Sequence, residues 1–79
     1  MREPVVRFAQ AMEEQLKANK YKGDWGGCSN SYLLNKLVKN LNALIVCLDL
    51  PGNNVKTIRW RCANIANFAM MIDDNQGKQ

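Results

Sequence analysis

Between residues 61 and 74 the chain reads RCANIANFAMMIDD, and Arg61, Asn64 and Asn67 recur at every third position. On a helix that spacing places them along one face, where they could line a site. The chemistry they offer is recognition of an anion. Arginine is a permanent cation with a fork of donors, and an amide both donates and accepts. Lys39, in the preceding apolar segment, supplies a second cation. Acid–base and metal chemistry need groups that are missing here. This stretch has no carboxylate before Asp73, and histidine is absent from the whole chain. No Ser/Lys or Cys/His pairing provides an activated nucleophile. The segment GDWGG at 23–27 lacks the GxxxxGK[ST] pattern of a phosphate loop and follows no strand. It reads as a connector, with Trp25 folded onto the helices.

Other polar groups read as surface. Glu13 and Glu14 form a solvated face of the first helix. Asp73 and Asp74 fall at a helix C-terminus, where the dipole disfavours carboxylates, and mark a frayed end. Lys20, Tyr21, Lys22 and Trp25 combine aromatic and basic side chains as single-strand binders do. With only 8% aromatic residues and no recognised nucleic-acid module, nucleic acid is not the expected partner. The cysteines, Cys28, Cys47 and Cys62, show no CxxC spacing and lack nearby carboxylates to complete a zinc site. Cys47 and Cys62 fall in apolar helical stripes and are expected to be buried, reduced thiols.

The elements that must position these groups are three helices in one domain, residues 1–79, and the fold class is all-α. The first runs over about 4–19, with Pro4 in its first turn and Val5, Phe8, Ala9, Met12 and Leu16 at helical spacing. Glycines in YKGDWGGCSN end it. The second runs over about 30–48, capped by Asn30 or Ser31, and carries Leu33, Leu34, Leu37, Leu41, Leu44, Ile45 and Leu48. Pro51-Gly52 breaks it, and Asn53 or Asn54 caps the third, about 54–73. There Val55, Ile58, Cys62, Ile65, Ala69 and Ile72 form a stripe spaced by threes and fours. Trp60, Ala63, Phe68 and Met71 widen it beyond what two short helices cover, so a homodimer built on helices two and three is expected. Ala63, Ala66 and Ala69 permit close helix approach.

The net charge of +4 is concentrated in residues 30–67, where Lys36, Lys39, Lys56, Arg59 and Arg61 face only Asp49. Scattered lysines on solvated faces account for such an excess as readily as phosphate contacts do. No run of about 18 apolar residues marks a membrane span, and the charged, amphipathic start lacks a secretory h-region. A cytoplasmic protein is expected.

Three stretches, FAQAMEEQLKANKYKGDW, SYLLNKLVKNLNAL and RCANIANFAMMIDDN, together resemble the small phage and bacterial MazG-like nucleotide pyrophosphohydrolases. The similarity runs from about Val6 to Asn75. ANFAMMIDD is its most specific piece, and KGDW supports it. The resemblance implies an all-α fold that binds nucleoside triphosphates through magnesium, held by an ExxE motif on one helix and an ExxD motif on the next. Residues i and i+3 share a helix face, so two such helices converge four hard oxygen ligands on the metal.

This chain departs from that pattern at every ligand. Asn40 and Ala43 stand at the ExxE positions, with Lys39 beside them, and Arg61 and Asn64 stand at the ExxD positions. The resemblance therefore implies a pseudoenzyme that has lost its magnesium cofactor and acts by binding. A phage or mobile-element protein inhibiting a host defence factor fits that description. A second reading is a metal-independent nucleotide-binding or sequestering module, with Lys39 and Arg61 on phosphates and Lys22, Trp25, Asn64 and Asn67 around the ligand. A third is a residual hydrolase using Glu13, Glu14 or Asp73.

Overall fold

A computed structural model of the chain describes residues 1–19, 25–52 and 54–77. Three helices make up the fold: α1 (Glu3–Ala18), α2 (Asn30–Asp49) and α3 (Val55–Gln76), with no strand among the described residues. All-α is therefore the fold class.

Local chemistry sets the helix ends. Pro4 lies in the first turn of α1, where its missing N–H costs nothing. The cap of α2 is Ser29, one residue before the two expected candidates. Its hydroxyl accepts from the Tyr32 backbone N–H at 3.1 Å. Asn54 caps α3 as expected, its side-chain oxygen accepting from the N–H groups of Lys56 (2.9 Å) and Thr57 (3.3 Å). Between α2 and α3, Pro51 cannot continue the helix, and Gly52 takes a φ of 73°, a conformation that favours glycine. The C-terminal helix extends to Gln76, three residues beyond the expected end, so Asp73 and Asp74 lie inside it and do not mark a fray.

α3 is the hub. It packs extensively along α2 and more locally against α1, while the α1 and α2 backbones do not come close to each other among the described residues. The core is a small cluster of Leu16 from α1, Leu33 from α2, and Phe68 and Met71 from α3. Trp25, Cys28, Leu37, Met70 and Ile72 pack around it. Buried Ala11 and Ala63 line one cleft between α1 and α3, where small side chains let the helices approach.

The buried face of α3 matches the expected one only in part: Ala63, Phe68 and Met71 are buried, whereas Trp60 is exposed and the main stripe is not buried. Val55 and Ala69 are exposed, and Ile58, Cys62, Ile65 and Ile72 are only half-buried. The face that turns inward carries Ala63, Asn64, Asn67, Phe68, Met71 and Asn75. The two stripes differ by one residue, about 100° around the helix axis. Apolar periodicity counts asparagine as outward, yet a hydrogen-bonded amide can be buried. On α1, Val5 and Ala9 are likewise exposed, and burial falls on Ala11 and Leu16. Cys47 and Cys62 form no disulfide and are half-buried, where burial was expected.

Leu33 and Met71 are fully buried and form the centre of this small core. Leu33→Ala is expected to cost about 2–5 kcal/mol, a large share of the stability of so short a chain. Thermal unfolding followed by circular dichroism should show a much lower midpoint or no cooperative transition. An unchanged midpoint would mean that the core is organised elsewhere.

Candidate functional site

Asn40 on α2 and Arg61 on α3 meet across the helix pair. Arg61 Nη1 donates to Asn40 Oδ1 at 3.3 Å. Asn40 in turn donates through Nδ2 to the Lys36 carbonyl one turn earlier, at 2.9 Å, which fixes its oxygen toward the arginine. The guanidinium carbon lies 4.6 Å from the centroid of the Trp60 ring, within cation–π range. The third guanidinium position is less well served. Arg61 Nε is buried and has no hydrogen-bond partner. Among the described residues the cation is thus held by one neutral amide and one aromatic face.

The remaining designated residues do not join them in one pocket. Asn64 is buried toward α1 and accepts a long 3.4 Å bond from Asn19 Nδ2. Asn67 is buried too, donating from Nδ2 to the Met12 carbonyl of α1 at 3.0 Å. Ala43 is half-buried on α2, and Lys39 is exposed. Trp25 packs on the core cluster, and its Nε1 donates to Asp74 Oδ2 at 2.9 Å. The expected folding of this tryptophan onto the helices is thus met, and its donor faces a carboxylate. Lys22 lies outside the described residues. Glu13, Glu14 and Asp73 are exposed.

Asn75 belongs with this set and was not anticipated. It is buried and donates from Nδ2 to the Trp25 carbonyl at 3.2 Å. Asn64, Asn67 and Asn75 thus share the inward face of α3 with Phe68 and Met71. Each amide reaches a different part of the chain: Asn19, α1, and the segment before α2. The signal for Asn75 was its helical spacing from Asn64, Asn67 and Met71, which continues the same face. These amides tie α3 to the rest of the chain, Asn67 and Asn75 through their Nδ2 donors and Asn64 through its Oδ1 acceptor.

Chemically, the Asn40–Arg61 pair can hold an anion and cannot hold a metal ion, because guanidinium has donors and no acceptor. Among the described residues no group of three or more His, Cys, Asp or Glu side chains is placed to hold a metal. No helix among them is long and apolar enough to cross a membrane. Comparison of the chain with protein-family models, curated proteins and solved structures finds no match.

The interhelical role of Asn67 can be tested directly. Asn67→Asp replaces a buried donor with a carboxylate oxygen facing the Met12 carbonyl, and is expected to cost about 1–3 kcal/mol or more. For a domain of this size that lowers the melting temperature by at least about 4 °C. A variant that melts with the wild type would remove Asn67 from the ties that hold α1.

Proposed function

We propose that this chain is a MazG-like helical protein that acts by binding and does not hydrolyse nucleotides. The observation behind the proposal is the Arg61–Asn40 hydrogen bond across α2 and α3. These are two positions where the resemblance calls for metal-binding acids. A permanent cation at this point repels a divalent ion, and a neutral amide oxygen supplies too little charge to compensate. A phage or mobile-element inhibitor of a host factor is the biological setting this reading implies, with a host protein as its partner.

One observation favours a second reading, capture of a nucleotide without metal. Arg61 presents a cation beside an aromatic ring, Trp60, and its Nε lacks a partner. Phosphate pairs with arginine in just such a charge-assisted way.

A single set of measurements separates the readings. The protein is incubated with each nucleoside triphosphate, with and without magnesium or manganese, and pyrophosphate release and melting temperature are recorded. The binding reading expects no release above the protein-free rate and no metal-dependent shift in melting. Nucleotide capture would appear as a shift that needs no metal and disappears in Arg61→Met. Metal-dependent pyrophosphate release would overturn the proposal.

A further inference from the structure

The cleft between α1 and α3 takes no part in the contacts at the α2–α3 seam. It encloses about 330 Å³, a volume at the lower end of small-molecule pockets, which begin at about 300 Å³. Its floor is Ala11 and Ala63, both buried, whose methyl groups leave the space above them open. One wall is Lys56, Arg59 and Trp60 of α3. With Ala63 these residues fall at i, i+3, i+4 and i+7, so a single helix face supplies them. The other wall is α1, where Glu14 follows Ala11 by one turn.

The two walls carry opposite charges. Lys56 and Arg59 line the α3 side and Glu14 the α1 side, and among the described residues no ion pair joins them. Arg59 is anchored by a different contact, donating from Nη2 to the Arg7 carbonyl of α1 at 3.0 Å. That bond and the one from Asn67 to the Met12 carbonyl tie α1 to α3 before and after the two alanines in sequence. The cleft is thus held open between fixed walls.

Trp60 is 42% exposed, a large apolar surface left to solvent. Arg61 does not line the cleft, and its guanidinium lies 4.6 Å from the centroid of the Trp60 ring. The indole is therefore held from outside the cleft and offers its remaining surface to a ligand ring.

Three features define a ligand that fits. An aromatic ring meets Trp60 and the alanine floor, a carboxylate meets Lys56 and Arg59, and an ammonium meets Glu14. A purely anionic molecule sets its charge beside Glu14, and a purely cationic one sets its charge beside Lys56 and Arg59. We propose that the cleft binds a free aromatic amino acid as its zwitterion, lying across the two walls. A peptide bond at either end of the ligand removes one of its charges, so the free amino acid is selected over the same residue within a chain. This inference does not rest on the Arg61–Asn40 contact and stands or falls separately from it.

The test is a nuclear magnetic resonance titration of the whole chain with L-phenylalanine, following the indole N–H signals, with affinity measured by calorimetry. The chain has two tryptophans, and Trp60→Phe assigns their signals. A saturable shift of the Trp60 signal is expected, with a dissociation constant of about 1 mM or below. The Trp25 signal, from an Nε1 bonded to Asp74, should stay in place. Hydrocinnamate lacks the ammonium and phenethylamine lacks the carboxylate, and each is expected to bind about 3-fold more weakly or worse. Lys56→Gln and Glu14→Gln, at exposed positions, should weaken L-phenylalanine by a similar factor with helicity retained. Trp60→Ala should weaken it by about 10-fold or more. Lys17→Gln, exposed on α1 and outside the cleft, should leave binding unchanged. If Trp60→Ala failed to fold, the two variants at exposed positions would still decide. Absence of a saturable shift at about 10 mM ligand would overturn the proposal. Equal binding of either analogue, or binding indifferent to Lys56→Gln and Glu14→Gln, would overturn it as well.

Discussion

Everything in this fold hangs on one helix face that must be both apolar and polar. The inward side of α3 presents Asn64, Asn67, Phe68, Met71 and Asn75 in succession. Phe68 and Met71 supply the burial that holds α1 and α2 onto α3. Hydrocarbon contact alone tolerates sliding, because one apolar surface resembles the next. The amides do not tolerate it. A buried amide displaced from its partner loses a hydrogen bond and keeps its desolvation cost, so Asn67 on the Met12 carbonyl and Asn75 on the Trp25 carbonyl set the register. Specificity is incomplete even so. Asn67 Oδ1 and Asn75 Oδ1 are buried without partners, a cost the fold carries along with its ties.

The arginine at the α2–α3 seam presents a different balance. A half-buried guanidinium with one neutral acceptor, one aromatic face and an unpartnered Nε gains less than a guanidinium paired with a carboxylate. Packing of its aliphatic stem supplies part of what the head loses. The arrangement suits a helix pair that keeps its crossing geometry while presenting positive potential to whatever approaches it.

Helix number and helix punctuation were legible in the sequence because glycine, proline and capping asparagine act locally. Pro51-Gly52 and Asn54 do what those residue types do anywhere. Helix orientation was legible only in part. On α3 the inward face lies one residue away from the apolar stripe, because three asparagines are buried and their bonding partners are remote in sequence. On α2 two leucine-rich stripes have equal claims by periodicity, and only the position of α3 shows which one is covered. Of the expected anion-binding residues, Arg61 meets only Asn40, a replaced metal-ligand position, whereas Lys39 is exposed, Asn64 turns to Asn19, Asn67 to α1 and Trp25 to Asp74. Spacing along a helix reports which residues share a face. It does not report which neighbour that face will meet.

The attachment of α1 chiefly to α3 has a consequence for how the molecule comes apart. Its ties are Ala11 and Leu16 in the packing, the Asn67 bond to Met12, the Asn19 bond to Asn64, and the Arg59 bond from Nη2 to the Arg7 carbonyl at 3.0 Å. None of the hydrogen bonds involves α2, although Leu16 shares the core cluster with Leu33. Opening of α1 would break these bonds and take Leu16 from the core cluster while the longer α2–α3 packing remained. Backbone amides of α1 should exchange with deuterium through this partial opening, while those at the middle of α2 and α3 wait for global unfolding.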